Sequence, residues 1–378
     1  MPAPINSRVF IEEVPARLKA IEGVSTSTTA FIGVAASGPL NQPTKITSFS
    51  EYENSFGGQA ESSEMSYGIR QFFANGGSEA WVVRVPDGQV QISANDLELF
   101  SGVKEPINLL CLPGIIHPPS LFAAAGYCES HRIFLIADTQ KGASPSEIET
   151  AVANSQMPKT EFGAAYYPWI KISDPLNANQ PRLSAPSGGI AGMYARMDLN
   201  RGVWKAPAGR EASLTETTGL DHALTESEMT RLNSIGVSCL RSLPEVGVVV
   251  WGARTLAGGN QTGSEWKYVN IRRLAIFLEH SIDQGTQWAV FEPNDEQLWA
   301  RIRASVESFL LGMFRAGAFQ GVTQEQAYYV HCGRETTTQN DIDQGVVNII
   351  VGFAPLKPAE FVIIKILQLA GQSTNNDE

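Results

Sequence analysis

The runs INLLCL at residues 107–112 and IFLIA at residues 133–137 decide the fold class of this chain. Each is short and almost continuously apolar, which is typical of a strand that helices cover on both faces of a mostly parallel sheet. A further apolar run, at 246–251, ends the region in which such segments recur. The sequence therefore predicts an α/β fold, most clearly from about residue 100 to 255.

Outside these strands, the clearest signals are those that begin and end helices. Ser48 and Glu51 have the spacing of an N-cap and an N3 residue, and Gly57 follows the segment, so a helix is predicted over 48–56. The Pro-, Ser-, Gly- and Asn-rich stretch 174–192 is instead predicted to be a loop.

The last third predicts α+β structure. Apolar residues recur at helical spacing over 272–283 and 294–317, and strands are predicted at 288–291, 328–332 and 346–353. The composition of GGNQTG at 258–263 indicates a linker. The predicted organisation is an N-terminal arm, an N-terminal α/β part, a middle α/β domain, a C-terminal domain, and a terminal strand with a polar tail, at 1–20, 21–99, 100–259, 260–360 and 361–378.

Composition excludes several classes of protein. The chain has 378 residues, of which 43% are hydrophobic and 18% charged, as in ordinary globular proteins. The formal net charge is −11, which argues against a nucleic-acid partner held through phosphate contacts. No apolar run approaches the roughly 18 residues of a membrane helix, and no signal peptide is visible at the N-terminus. The four scattered cysteines favour reduced, cytoplasmic synthesis over a disulfide framework.

Patterns for catalysis, cofactors and metals are weak. The five histidines lack HxxxH and HExxH spacing, and GxSxG and CxxC are absent. Asp138, His131 and a serine could meet by chance in a fold of this size, so a hydrolase stays an alternative. The glycines of 188–192 lack the GK[ST] ending of a P-loop and are interpreted as a tight structural loop. The sequence therefore predicts no catalytic, cofactor or metal site.

The two ends of the chain carry the less ordinary signals. FVIIKILQL at 361–369 is almost continuously apolar, and the β-prone triplet at 9–11 has no partner strand nearby in sequence. Each is either a strand of its own domain or part of a sheet shared with another subunit, and both interpretations remain open at this point. The residues predicted to link subunits are Val9, Phe10, Ile11, Phe361, Val362, Ile363, Ile364, Ile366 and Leu367.

Nine ordered stretches of this chain match blocks of one protein family. They are FIEEV (10–14), IEGVSTS (21–27), QFFANGG (71–77), PSGGIAGMYAR (186–196), GVWKAP (202–207), VWGARTL (250–256), FEPND (291–295), TTTQNDID (336–343) and GFAPLKPAEFV (352–362). In these stretches the chain resembles the contractile tail sheath family of phage tails, R-type bacteriocins and extracellular contractile injection systems.

The resemblance implies a non-enzymatic, two-domain sheath protomer whose extended N- and C-terminal arms exchange strands between subunits. It implies a metastable extended sheath around an inner tube, which contracts and drives the tube through a target envelope. The middle domain would be subtilisin-like in fold only, and the 260–360 domain would face the tube. Implied partners are other sheath subunits (self or paralogues), the inner tube, and baseplate and terminal cap proteins, without nucleic acid or membrane insertion.

The same resemblance places assembly in the bacterial cytoplasm, within a phage tail or a phage-like particle that can be released from the cell. Arg301 and Arg315 lie 14 residues apart, at nearly the same azimuth of the helix predicted over 294–317. They are candidates for contact with acidic groups on the tube, and a solvated helix face is the alternative. A hydrolase-like enzyme using residues 100–255 and a non-contractile structural tube also stay open as functions.

Overall fold

A computed structural model describes residues 19–261 and 263–360. The predicted arm strands at 9–11 and 361–369 lie outside the described residues. The strands are β1 (Thr29–Gly33), β2 (Thr44–Ile46), β3 (Ala80–Arg84), β4 (Leu109–Cys111), β5 (Phe134–Asp138), β6 (Gly163–Tyr167), β7 (Ile170–Asp174), β8 (Gln180–Ser184), β9 (Gly219–Leu220), β10 (Val237–Leu243), β11 (Gly247–Val250), β12 (Tyr328–His331) and β13 (Ile350–Phe353).

Helices alternate with these strands and confirm the predicted α/β class. They are α1 (Phe49–Phe56), α2 (Glu64–Ala74), α3 (Ala94–Leu97), α4 (Pro118–His131), α5 (Pro145–Ala153), α6 (Ser187–Arg201), α7 (Glu226–Ser234), α8 (Val269–Thr286), α9 (Glu296–Arg315), α10 (Gln324–Ala327) and α11 (Gln339–Asp343), with 3-10 turns at Glu98–Gly102 and Gln287–Ala289. Helix α1 begins as predicted, because the Ser48 side chain accepts the N–H of Glu51.

The main sheet has eight strands within the described residues, in the order β11-β10-β6-β5-β4-β1-β3-β2. All its pairings are parallel except those of β2 with β3 and of β10 with β11 at the two edges. The apolar runs at 107–112 and 133–137 contain the central strands β4 and β5, which are buried throughout. Strands from the predicted 21–99 and 100–259 segments therefore belong to one sheet.

The predicted loop at 174–192 is wrong, since these residues form β8 and the start of α6. Asp138 fixes the beginning of α6, where its carboxylate accepts the backbone N–H of Ser187 at 2.9 Å and the Ser187 hydroxyl at 2.8 Å. Glycines then allow α6 to pack directly on α2, because a Cβ at Gly188 would collide with the carbonyl oxygen of Gly68. Composition indicated a loop, whereas close helix packing is what requires these small residues.

The strand predicted at 288–291 is also wrong. Helix α8 continues to Thr286, and a 3-10 turn at Gln287–Ala289 follows it. The chain then turns at Phe291, whose φ of 69° is in the left-handed region and cannot continue a strand. Helix α9, which was predicted from residue 294, begins at Glu296 with Asp295 as its N-cap, because the Asp295 carboxylate accepts the N–H of Leu298 at 2.8 Å.

A second hydrophobic core lies in the C-terminal part of the chain. Helices α8 and α9 and the two-stranded antiparallel sheet β12–β13 contribute to it, and Ile21 from the start of the described chain packs into it as well. Side chains of β12 alternate between this core and solvent, and the exposed His331 at its end is followed by the buried Cys332.

Substitution of Gly188 by Ala tests the close packing of α2 and α6. We expect the added methyl group to force backbone displacement and lower stability by about 1–3 kcal/mol, as other overpacked sites do. The readout is the midpoint of urea unfolding followed by circular dichroism. The matched control is Gly126→Ala in α4, where a Cβ meets nothing within 4 Å and a gain of about 0.4–1 kcal/mol is expected. Equal effects of the two substitutions would contradict the packing argument.

Candidate functional site

The first described residues run along helix α8 of the folded part of the chain, here called the body. The N–H of Val24 donates to the Ser281 hydroxyl at 3.2 Å, and a Cβ at Gly285 would strike Ile21. The ammonium of Lys19 lies 5.0 Å from the ring centroid of Trp288. Residues 19–27, here called the N-terminal root, are therefore bound to the C-terminal part although they are far from it in sequence.

Arg273 fixes the N-terminal root at its inner end. Its guanidinium donates to both carboxylate oxygens of Asp198, at 3.0 and 2.6 Å, and to the carbonyl oxygen of Thr26 at 2.9 Å. It also lies 4.5 Å from the ring centroid of Tyr194, and only 3% of the residue is exposed. One buried cation thereby joins helix α6, helix α8 and the incoming chain.

The neighbouring Arg272 attaches α8 to the middle part of the chain. It pairs with Glu161 at 3.3 Å and with Glu279 at 3.0 Å. Its guanidinium lies between the rings of Phe162 and Trp266, about equally far from both, at 4.3 and 4.2 Å. An arginine can both stack and pair in this way because its charge is spread over a plane. Helix α8 is thus held by two successive buried arginines.

A third buried arginine holds the other end of the described chain. Arg254 forms a bidentate pair with Glu360, with distances of 2.7 and 2.8 Å from its Nε and Nη2 atoms to the carboxylate. Its remaining nitrogen donates to the Asn233 carbonyl and to Asn260 Oδ1. Burial alone would raise the pKa of Glu360, but the hydrogen bonds and charge of Arg254 outweigh it and hold the pKa below its ordinary value. Residues 356–360, here called the C-terminal root, end at this pair.

The two arginines predicted to contact the tube have different surroundings. Arg301 pairs with Glu292 at 3.0 Å and lies 5.2 Å from the ring centroid of Trp288, the ring that Lys19 also covers. Arg315, at the end of α9, is exposed and has no ion pair within the described part of the chain. The predicted arm residues of both termini lie outside the described residues.

Asp138 and His131, the hydrolase candidates, do not meet. His131 ends helix α4 before β5 begins, whereas Asp138 is the last residue of β5, so a strand of roughly 16 Å separates them. Burial raises the pKa of Asp138 to about 6, although hydrogen bonds from Gly114 and Ser187 oppose this rise. The carboxylate acts here as a cap for α6.

Other chemical groups in the described residues also lack the setting of a reactive site. No cluster of three or more histidine, cysteine or acidic side chains there is placed to hold a metal ion. Burial raises the pKa of each cysteine thiol above its ordinary value, which disfavours the reactive thiolate. Among the described helices, none combines the length and the apolar character needed to cross a membrane.

Family comparisons cover most of the chain. Residues 99–256 match the model of the phage tail sheath protein central domain, and residues 261–368 match that of the phage tail sheath C-terminal domain. The tail sheath protein of Burkholderia phage BcepMu is 29% identical over 161 residues, which is 41% of this chain. That match spans 33% of the length of the phage protein.

Similarity to solved structures extends almost from end to end. The sheath complex of the extracellular contractile injection system PVC, in its contracted state, superimposes with a TM-score of 0.80 at 28% identity, covering 97% of this chain and 99% of that one. A chain of the anti-feeding prophage baseplate gives a TM-score of 0.78 at 29% identity, covering 98% and 100%.

Removal of the charge on Glu360 tests the C-terminal root. Glu360→Gln leaves the buried guanidinium of Arg254 without its carboxylate, so we expect stability to fall by about 1.5–3 kcal/mol, the range for hydrogen bonds to charged groups. Glu307→Gln on the exposed face of α9 is the control, with little change expected. Both are measured by urea unfolding at pH 7.

The same pair predicts a pH dependence. Because the folded-state pKa of Glu360 is lowered, its contribution is complete above its ordinary value of 4.5 and is lost as pH falls through the lowered pKa. The stability difference between wild type and Glu360→Gln should therefore shrink on acidification below about pH 4.5. A difference that stays constant or grows there would contradict the assigned pair.

Proposed function

The chain belongs to the contractile tail sheath family and is a structural sheath protein, and from this premise we propose what it does. It polymerises around an inner tube in a metastable extended state, and it contracts to drive the tube through a target envelope. The observation that carries the proposal is the end-to-end similarity to a sheath subunit in a contracted assembly.

The arrangement of the two chain ends supports the link between subunits. Both roots are anchored on buried arginines, Arg273 and Arg254, so each arm would leave the body from a defined point. The arms can then follow a neighbouring subunit while the body turns, because backbone ladder hydrogen bonds do not depend on the orientation of the body.

The sheet β12–β13 offers an acceptor for such arms. It has two strands in the described part of the chain, and each has one edge without a ladder partner there. Sheets of two strands are marginal in water, and an added strand from another chain is a recurrent solution. Tyr329 and Ile350, each about half exposed, are available on its outer face. We assign the arms of neighbouring subunits to these edges.

Contraction requires no nucleotide in this scheme. If assembly traps a lattice with poorer contacts than those of the contracted lattice, the difference in contact free energy drives the change. The proposal therefore gives the chain no catalytic role, and the separation of Asp138 from His131 favours this over the hydrolase alternative. A non-contractile tube would polymerise equally well but would have a single lattice length.

The partners in this proposal are other sheath subunits, either identical or paralogous, the inner tube, and baseplate and cap proteins. The similarity to a chain of the anti-feeding prophage baseplate supports the baseplate contact. Assembly would take place in the bacterial cytoplasm, in a phage tail or a phage-like injection particle. Residues 100–259 would form the middle domain of the sheath subunit, and the 260–360 domain would face the inner tube.

Two variants test the arms. Removal of residues 1–18, or Ile364→Asp with Ile366→Asp, should leave a folded body that forms no tubes, because the lost ladder bonds contribute about 0.5–1.5 kcal/mol each and recur at every link of the lattice. Circular dichroism reports folding and negative-stain electron microscopy reports tubes. The matched control for charge is Ser373→Asp with Thr374→Asp in the polar tail, which should still form tubes.

Either of two results would contradict this role. Unfolding of the truncated protein would place residues 9–11 in the core of the body itself. Tubes of normal length from both variants would remove the arms from assembly.

A charge reversal tests the tube-facing helix. We propose that Arg315 contributes more to tube binding than Arg301, since Arg301 already has Glu292 as a partner. Arg315→Glu should weaken co-sedimentation with the tube protein at low salt, and the defect of Arg301→Glu should be smaller. The control is Arg210→Glu, an exposed arginine of the middle part. Unchanged co-sedimentation of a variant carrying both Arg301→Glu and Arg315→Glu would disprove the assignment.

A further inference from the structure

A cleft of about 980 Å³ lies between the middle and C-terminal parts of the chain, and the proposed function assigns it no role. Its size is at the upper end of the range for sites that take a ligand. Apolar surface comes from Trp204, Trp251, Tyr268 and Met229. Of its basic side chains, Arg201 pairs with Glu211 and Lys267 lies 3.8 Å from Glu360, whereas Lys205 and Lys357 have no ion pair in the described part of the chain. Glu226 is an acidic member of the lining.

The described chain ends in this cleft. Leu356 and the residues up to Glu360 form part of its lining, together with Arg254, which holds the Glu360 carboxylate. The last described residue, Glu360, therefore lies at the wall of the cleft. Whatever follows Glu360 begins within reach of the cleft and has a high effective concentration there.

The sequence that follows has the chemistry of an occupant. In an extended FVIIKILQL segment, Val362, Ile364 and Ile366 would share one face, and Lys365 would interrupt the other. Such a segment is an aggregation hazard if it is uncovered before assembly. The tail beyond it carries Asp377 and Glu378, whose charge is complementary to that of Lys205 and Lys357 in the cleft.

A buried amide side chain holds the last described residues at the cleft. The Asn270 amide nitrogen donates to the carbonyl oxygens of Trp204 and Leu356, both at 2.9 Å. Only 2% of Asn270 is exposed. Leu356, four residues before the last described residue, is therefore fixed at the wall of the cleft.

We propose that residues 361–369 of the unassembled subunit occupy this cleft in the same chain, and that they leave it when the subunit joins a sheath. The second half of this inference rests on the proposed function, since it takes the same segment as the arm that links subunits. Storage of the arm covers its apolar side chains and delays polymerisation until a growing end of the sheath offers a better site.

Cross-linking of engineered cysteines tests the stored position. The variant combines Thr230→Cys, at the edge of the cleft, with Ile364→Cys, and a short bis-maleimide is added to the soluble, unassembled full-length protein. The four native cysteines are buried and compete poorly. The control replaces Thr230→Cys with Thr150→Cys on α5. Both threonines are exposed, and each donates its hydroxyl to the carbonyl four residues earlier.

We expect the cross-link within one chain to form in roughly tenfold higher yield at Thr230 than at Thr150, because docking raises the local concentration of the segment. In assembled tubes, the yield of this cross-link at Thr230 should fall to that of the Thr150 control. Equal yields in the soluble protein, or cross-links mainly between chains, would overturn the stored position.

Locking the segment tests its release. Oxidation of the Thr230→Cys, Ile364→Cys variant to a disulfide should block tube formation, and reduction should restore it. Tubes formed by the oxidised protein would overturn the release. If the unmodified protein forms no tubes at all, the proposed function fails, whereas the cross-link in the soluble protein still decides where the segment lies.

Discussion

Buried arginine charges are the constraint on which this structure depends. Arg254, Arg272 and Arg273 are each at most 5% exposed, and an arginine cannot become neutral in the interior of a protein. Each must keep its carboxylate partners, because a buried charge that loses its partner destabilises the fold strongly. Helix α8, the main sheet and both ends of the described chain are therefore held in one arrangement by these pairs.

A body of this kind suits a lattice that changes its dimensions. If every subunit moves as one unit, a change in the lattice is carried by contacts between subunits and by the arms that connect them. In the proposed function, the arms would begin at the two roots, which are fixed on this body. In that proposal, the energy for the change resides in the lattice contacts and not in a nucleotide.

The sequence was sufficient for much of the fold. The apolar runs containing β4 and β5 mark the centre of the sheet, and Ser48 marks the start of α1, because both signals act over a few residues. The segment at Gly188 was predicted wrongly because its glycines serve a contact with Gly68, which is 120 positions away in sequence. Tertiary packing of this type leaves no local pattern.

The anchoring pairs were missed for the same reason. Arg254 and Glu360 are 106 residues apart, and Asp198 and Arg273 are 75 apart. The sequence contains one signal, for the Arg254–Glu360 pair. Arg254 lies in VWGARTL and Glu360 lies in GFAPLKPAEFV, and both stretches match the sheath family. The arm residues themselves remain predictions.

The central claim is that the body moves as one unit, with the N-terminal and C-terminal roots anchored, while the lattice changes. Cryo-electron microscopy of the assembled protein in an extended and a contracted lattice tests it most directly. The account predicts that residues 19–360 of the two states superimpose within about 1 Å, as preorganised partners do, and that the Arg254–Glu360 and Arg273–Asp198 pairs persist in both. A shift of α8 against the main sheet, with either pair broken in one state, would contradict it.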